Sequence, residues 1–210
     1  MKLNAEQLRK LEEERAKGTV RNIKRHPIYF ILENIYDTYN IGGLFRLADA
    51  IAAEKIYLCG DSEIPPNSRI KKASIGTYKI VPWEYRKSAK EAIDSLKLEV
   101  RGEKLENEVR SEKKNIKLPT SKIQLPNSHF PLQVVAVEQH PDSTDYRKTD
   151  YRLPLALIFG NESFGVTPET LKLVDKIVEI PMWGINKSLN VIVSAAIVSY
   201  WIINQVGLSS

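Results

Sequence analysis

The sequence predicts an α/β domain with a mostly parallel sheet that helices cover on both faces. Short apolar runs, rich in β-branched and aromatic residues, alternate along the chain with segments of helical periodicity. The runs are continuously apolar, which is typical of strands buried on both faces of a sheet. With 210 residues, the chain has the length of one domain with at most a small appendage.

The predicted elements follow one another from residue 28 onward. Buried strands are expected at residues 28–32, 55–58, 132–137, 155–159 and 176–180. Helices are expected at residues 41–53, 89–96 and 188–206. The last helix is apolar nearly all round and rich in small residues, so we expect it to be buried, in part against another subunit.

Two charged segments lie outside this alternation. Residues 1–27 contain eight Lys or Arg and four Glu, and they predict a basic helical extension, either a solvated helix face or an arm that contacts phosphate. A weakly ordered insertion is expected at about 97–130, because residues 97–122 are charge-dense and contain no aromatic side chain. The expected organisation is an extension over 1–27 followed by one domain over 28–210.

Composition excludes several classes of site. The formal net charge of +5 permits an anionic partner without requiring one. Cys59 is the sole cysteine, which excludes an internal disulfide and a multi-cysteine zinc site, and we expect it to be a buried small apolar residue. The three histidines lie far apart in the sequence, so no metal site is predicted.

Targeting signals are not evident in the sequence. The first residues carry charges throughout, without the apolar core of a secretory signal. The most apolar stretch, near the C-terminus, is interrupted by Ser, Asn and Gln side chains and predicts a buried helix rather than a membrane span. A cytoplasmic location without membrane association is therefore expected.

The first polar cluster follows the first predicted strand, in the segment NIYDTYNIGGLFRLADA. Asn40 is a plausible helix N-cap, and Gly42 and Gly43 would allow a close backbone approach. Arg46 lies six residues after Asn40, and a bent junction between loop and helix would bring both side chains to one pocket. The alternative is a capped helix with an exposed arginine.

The second cluster, LALIFGNESFGVTPE, places Gly160 and Glu162 directly after an apolar strand. Thr167 and Pro168 are typical of the N-cap and first residue of a helix. Neither GxxxxGK[ST] nor GxGxxG occurs, which makes a nucleotide-binding protein of another kind a remote alternative. The segment could also be an ordinary turn from strand to helix.

The third cluster, EIPMWGINKSLN, connects the last predicted strand to the last helix. Ser188 is expected to be the N-cap of that helix, and Asn190 follows two residues later. Their alternative role is capping and backbone hydrogen bonding alone. Ligands of open α/β sheets bind at the carboxyl ends of the strands, where all three clusters are expected to lie.

Taken in this order, the strings Asn-x-Gly…Arg, FGNE-x-x-G and IPM-x-G…SLN resemble the SpoU (TrmH-type) family of the SPOUT superfamily. Members of this family are RNA ribose 2′-O-methyltransferases that use S-adenosylmethionine. The resemblance covers about residues 28–207 apart from the insertion. It implies a domain whose C-terminal part forms a deep trefoil knot, a homodimer and an RNA substrate.

The resemblance also implies roles for individual residues. The family's catalytic arginine falls on Arg46, and its first-motif asparagine falls on Asn40. Glu162, Ser188 and Asn190 would shape the catalytic site. The cofactor would be bound largely through backbone groups of four residues, which are Gly160, Ile180, Met182 and Leu189.

The sequence departs from the family pattern at two places in the first cluster. Thr38 follows Asp37 where the family often has proline, and Ala52 and Ala53 stand where a glycine often follows the first helix. Neither position is expected to take part in the chemistry. The insertion at about 97–130 is larger than usual in the family.

Two further expectations concern mechanism and substrate. A guanidinium is effectively always protonated, so we expect Arg46 to bind phosphate and stabilise the developing alkoxide rather than act as a general base. Only about 27 residues precede the first strand, and a short basic extension resembles the branch that methylates the D-loop guanosine of tRNA. The alternatives are an rRNA methyltransferase of the same family and an RNA-binding homologue without activity.

Overall fold

The computed structural model describes residues 23–100 and 131–208. Within these two ranges, seven strands alternate with five α-helices. The strands are β1 (His26–Glu33), β2 (Ala53–Cys59), β3 (Trp83–Arg86), β4 (Gln133–Val137), β5 (Thr144–Asp145), β6 (Leu155–Phe159) and β7 (Lys176–Glu179). The helices are α1 (Thr38–Ala50), α2 (Ser68–Ser74), α3 (Ala89–Val100), α4 (Pro168–Leu171) and α5 (Val191–Gln205).

Nearly all of the predicted extension over 1–27, and most of the insertion over 97–130, lie outside the described residues. The five predicted strands are confirmed, as are the three predicted helices. Three elements were not predicted from the sequence: the short helix α2 and the edge strands β3 and β5. The helix α3 also continues to Val100, beyond the predicted end at residue 96.

The strands form one sheet in the order β3-β2-β1-β6-β4-β7-β5, and every described pair is parallel. The register places Leu32 of β1 between Leu58 of β2 and Phe159 of β6. These central strands therefore end at the same level, and the loops that follow them leave the sheet at one edge. The predicted parallel α/β sheet is confirmed, and the C-terminal trefoil knot stays a prediction of the resemblance.

Side chains on both faces of the central strands are buried. On one face, Phe30 meets Phe159 edge-to-face, with ring centroids 5.3 Å apart, under α1 and α5. On the other face, Ile31 packs with residues of α3. Burial on both faces explains why the strand sequences are continuously apolar.

The helix α1 begins at Thr38, because the Asp37 carboxylate accepts a hydrogen bond from the Tyr39 N–H at 2.8 Å. The prediction that Asn40 caps this helix is therefore wrong. Asn40 lies in the first turn, where it is buried and free to bond elsewhere. The helix ends at Ala50 rather than at residue 53, because Ala52 adopts a left-handed conformation with φ 49°.

The helix α5 begins at Val191, and its N-cap is Asn190, whose side chain accepts from the Ile192 N–H at 2.9 Å. The prediction of Ser188 as N-cap is therefore wrong by two residues. One face of α5 is buried in the core, including Ala195. The opposite face is open, since the side chain of Tyr200 is 54% exposed. The expectation of burial within the chain is met on one face only.

In the described ranges, no helix is long and apolar enough to cross a membrane. Nor does any group of three or more His, Cys, Asp or Glu side chains in those ranges have a geometry that could hold a metal ion. The sole cysteine, Cys59, is fully buried at the end of β2, as predicted.

Candidate active site

A cavity of about 460 Å³ opens at the carboxyl ends of β4, β6 and β7. Its walls are the residues that follow these strands and the segment that leads into α5. The position agrees with the general location of ligand sites in open α/β sheets. The volume lies within the range of small-molecule and cofactor sites.

The loop after β6 forms one wall of this cavity and is tightly folded on itself. Asn161 and Gly165 exchange two backbone hydrogen bonds of 3.1 and 2.8 Å. The Asn161 side chain also accepts from the backbone N–H groups of Ser163 and Phe164. A Cβ atom at Gly160 would lie 2.1 Å from the carbonyl carbon of Gly165, so this approach requires glycine.

Two carboxylates, one from each of the two strands that flank β6, hold this loop in place. Glu33, at the end of β1, accepts from the N–H and the hydroxyl of Thr167 at 2.9 and 3.0 Å, and from the Thr170 hydroxyl. Glu138, directly after β4, accepts from the Val166 N–H at 2.8 Å. Sequence reasoning missed both residues, although a carboxylate ending an apolar strand is a signal for such a role.

Asn40 joins the three sequence clusters. Its side-chain Nδ2 donates to Oε1 of Glu162 at 2.8 Å, and its Oδ1 accepts from Nδ2 of Asn190 at 2.9 Å. Asn190 in turn caps α5 through its Oδ1. We refer to the contact of Asn40, Glu162 and Asn190 as the Asn40 junction. It fixes the loop after β6 and the start of α5 relative to α1.

Most of the residues implied by the resemblance meet at this cavity. Seven of them line it, and they are Gly160, Ile180, Met182 and Leu189 for the cofactor, with Glu162, Ser188 and Asn190 for catalysis. Asn40 reaches the same site through the junction. The cavity therefore unites all three clusters.

Arg46 is the exception. The helix α1 runs without interruption from Thr38 to Ala50, so the bent junction that would bring Arg46 beside Asn40 is not formed. Six residues along a helix give a rise of about 9 Å and a rotation of about 240°. Arg46 is exposed, does not line the cavity of its own chain, and forms no hydrogen bond or ion pair with the described residues.

The charged side chains that line the cavity all carry negative charge. Every charged side chain among the described residues that line it is a carboxylate, from Glu138, Glu162 and Glu179. Such a lining favours a ligand that carries positive charge. It disfavours ligands with several phosphates, which are usually bound by lysine, arginine or a helix N-terminus.

The chain is similar to known RNA methyltransferases. The chain is 28% identical over 178 residues to the tRNA (guanosine(18)-2'-O)-methyltransferase of Thermus thermophilus, spanning 84% of this chain and 75% of the relative. It is 25% identical over 183 residues to the 23S rRNA (guanosine-2'-O-)-methyltransferase RlmB of Ralstonia nicotianae, covering 87% of this chain and 61% of that protein.

A solved structure shows the same fold. The SpoU methyltransferase AviRb from Streptomyces viridochromogenes, in complex with AdoMet, superposes with a TM-score of 0.68 at 23% identity. The match covers 89% of this chain and 63% of AviRb. The SpoU rRNA methylase family model matches residues 27–126 and 122–200, which include all three motif clusters. The chain therefore belongs to the SpoU rRNA methylase family.

Proposed function

We propose that this chain transfers a methyl group from S-adenosylmethionine to a ribose 2′-hydroxyl of RNA, and that its substrate is a tRNA. The observation that carries the proposal is the Asn40 junction, which assembles the three motif clusters around one cavity at the ends of parallel strands. The names of the relatives support the same reaction class.

The residues of the cavity fit S-adenosylmethionine. The tight approach of Gly160 to Gly165 fixes the shape of one cavity wall, because a Cβ atom at Gly160 would collide with the backbone of Gly165 and Val166. Ile180, Met182 and Leu189 supply an apolar wall, and the carboxylates match the positive charge of a sulfonium. Gly160, Ile180, Met182 and Leu189 would hold the cofactor.

The cofactor supplies a methyl group on a positively charged sulfur, which is already an activated electrophile. The protein is then required chiefly to position the ribose hydroxyl, and correct orientation can contribute about 7–11 kcal/mol to a barrier. The Asn40 junction holds Glu162 and Asn190 in fixed positions at the rim of the cavity. Ser188 lies in the same wall, within the segment that leads to α5.

We assign Arg46 to a second copy of the chain in a homodimer. Arg46 lies outside its own cavity, and Tyr39, seven residues earlier, presents a half-exposed ring on the same stripe of α1. The open face of α5 carries exposed Val193 and Tyr200. A symmetric dimer that covers these apolar side chains would bring Arg46 of the partner subunit toward the cavity.

In that position, the Arg46 guanidinium would bind the phosphate of the target nucleotide and stabilise the developing alkoxide. The proton of the ribose hydroxyl would pass to phosphate or water, because a guanidinium that is always protonated cannot accept it. The proposed catalytic unit is residues 28–210, with residues 1–27 as a basic extension that contacts RNA.

The choice of tRNA follows the Thermus thermophilus relative, whose name specifies guanosine 18. Ribosomal RNA is the second candidate, because the Ralstonia nicotianae relative is named for 23S rRNA and is similar over a comparable length.

The test is methyl transfer from labelled S-adenosylmethionine to unmodified tRNA and, separately, to rRNA. Label in tRNA from the wild type, and its loss with Arg46→Ala, would support the proposal, and nuclease mapping would then locate the nucleotide. Label in rRNA alone would show that the substrate is rRNA and not tRNA. Cofactor binding without transfer to either RNA would mean that the substrate or a partner is missing from the assay, whereas the absence of cofactor binding would favour an RNA-binding homologue that has no activity.

A further inference from the structure

The helix α2 carries a concentrated positive charge that the proposed reaction does not use. Residues 64–83 contain four lysines or arginines and no aspartate or glutamate. Three of these cations lie on α2 and are exposed, and they are Arg69, Lys71 and Lys72. We refer to these three side chains as the α2 basic surface.

The backbone beneath this surface is held rigidly. The Asn67 side chain caps α2 by accepting from the N–H groups of Arg69 and Ile70 at 2.9 and 3.3 Å. Ile70 and Ser74 are buried, and the Thr77 hydroxyl donates to the Ser74 carbonyl at 2.8 Å. A short helix fixed at both ends presents its charges in a defined arrangement.

The cations of the α2 basic surface differ from four other basic side chains among the described residues, which carboxylates compensate. Lys55, Arg86, Lys90 and Arg147 each form an ion pair with a nearby carboxylate. Arg69, Lys71 and Lys72 form no side-chain hydrogen bond or ion pair with the described residues. Their charge is therefore uncompensated locally, which favours binding of an anion.

The position of α2 connects this surface to the proposed reaction. The helices α1 and α2 touch at Gly42, where a Cβ atom would lie 2.4 Å from Cβ of Ala73. Arg46 is four residues after Gly42, so it lies on the side of α1 that borders α2. The α2 basic surface therefore belongs to the helix that packs against the side of α1 on which Arg46 lies.

We propose that the α2 basic surface binds the phosphate backbone of the RNA substrate outside the target nucleotide. This inference rests on the proposed function, because it takes RNA to be the polyanion that the enzyme meets. Phosphate contacts of this kind contribute affinity and register without reading sequence. They release counterions, so their contribution falls steeply as salt rises.

The test compares two variants with the same change in net charge. Arg69→Gln/Lys71→Gln/Lys72→Gln removes the surface, and Lys87→Gln/Lys148→Gln/Lys172→Gln removes three exposed lysines from other elements. Binding of unmodified tRNA would be measured between about 50 and 200 mM salt. Methyl transfer at saturating RNA and the dissociation constant for S-adenosylmethionine would be measured in parallel.

We expect the α2 variant to bind RNA at least about tenfold more weakly and to lower the salt slope by about 2 to 3. Its cofactor affinity and its rate at saturating RNA should stay within about twofold of wild type, since no cavity residue changes. Equal effects in both variants, or no effect in either, would overturn the inference. Failure of the wild type to methylate any RNA would instead overturn the proposed function on which this inference rests.

Discussion

The side-chain amide of Asn40 donates at one end and accepts at the other, so the positions of Glu162 and Asn190 both depend on it. An aspartate of the same shape would lose the donor and place a second carboxylate beside Glu162. An alanine would leave both partners without this contact. The residue is buried, so water cannot replace the lost bonds freely.

We therefore expect Asn40→Asp and Asn40→Ala each to lower the single-turnover rate of methyl transfer by about a hundredfold, because small displacements of positioning groups cost that much. The matched control is Ser88→Ala, which removes one capping hydrogen bond outside the cavity, the one that the Ser88 hydroxyl accepts from the Glu91 N–H. The role given to Asn40 would be wrong if Asn40→Ala retained more than half of the wild-type rate.

Ala52 adopts a left-handed conformation with φ 49°, at the position directly after the C-cap residue Ile51 of α1, where glycine is preferred. The side chain costs about 1 kcal/mol there. Ala52→Gly should therefore raise the free energy of unfolding by about 0.5–1 kcal/mol, measured by urea denaturation. The neighbouring Ala53→Gly should lower it, since Ala53 is buried in β2. Equal effects at both positions would contradict this account.

Burial raises the pKa of the Cys59 thiol to about 12. The pKa of the thiol in the unfolded chain is about 8.5, so above that pH the folded state retains a proton that the unfolded state loses. This contribution to stability is present below about pH 8.5 and is lost as the pH rises toward 12.

At pH 8 we expect the folded chain to resist a thiol-specific disulfide reagent, and the unfolded chain to react at once. The labelling rate should rise with denaturant in step with the loss of circular dichroism. Rapid labelling of the native chain would show that Cys59 is reached by local opening.

At the scale of elements, the apolar runs predicted the central strands because burial on both faces leaves few other residue types possible there. The strand at Leu155–Phe159 has the predicted bounds. The edge strands β3 and β5 were missed since one side of each is unpaired, so their sequences are mixed and short. The helix α2 was missed because seven residues give too little periodicity.

The site was partly predictable for a related reason. Gly160, Glu162 and Asn190 fall in motif strings that directly follow buried strands, and parallel strands bring such segments together. Glu33 and Glu138 were not predicted as supports, because their partners lie in a loop far along the chain. The position of Arg46 depended on where α1 begins, and the capping role of Asp37 was not foreseen.

The loop after β6 offers a test at this scale. A Cβ atom at Gly160 would meet backbone atoms of Gly165 and Val166 at 2.1 and 2.2 Å, and backbone cannot rotate away. At Gly43, the nearest atom at 2.3 Å is the mobile end of the Ile192 side chain. We expect Gly160→Ala to weaken binding of S-adenosylmethionine at least about tenfold, and Gly43→Ala to change it less than about threefold.

Isothermal titration with the cofactor would measure both variants, with thermal unfolding as a check that each is folded. A larger loss from Gly43→Ala than from Gly160→Ala would place the critical approach at the contact between α1 and α5. It would also remove the argument that the loop after β6 forms the cofactor wall.

For the whole molecule, charge is divided between the two proposed ligands. The charged side chains that line the cavity are carboxylates, whereas α2 carries three cations without an ion pair among the described residues and packs against α1, the helix of Arg46. A cationic cofactor and a polyanionic RNA would therefore be drawn to different surfaces of the same protomer. Because the target ribose must still reach the cavity, the two surfaces have to meet in the assembled enzyme.

A subunit-mixing experiment tests whether the dimer brings them together. Asn40→Ala disables the cavity of its own chain, and Arg46→Ala disables the arginine that we assign to the other chain's site. In a heterodimer of the two variants, one cavity is intact and faces an intact Arg46 of the partner subunit. Random exchange of equal amounts makes half of the dimers mixed, so about a quarter of all sites should work.

The expected result is that two nearly inactive proteins recover about a quarter of wild-type methyl transfer after unfolding and refolding together. Mixing after refolding, without exchange, should recover none and serves as the control. If Arg46 acts within its own chain, every mixed dimer contains one defect in each site and no activity returns. That outcome, together with a confirmed dimer, would require Arg46 to reach its own cavity by a movement of α1.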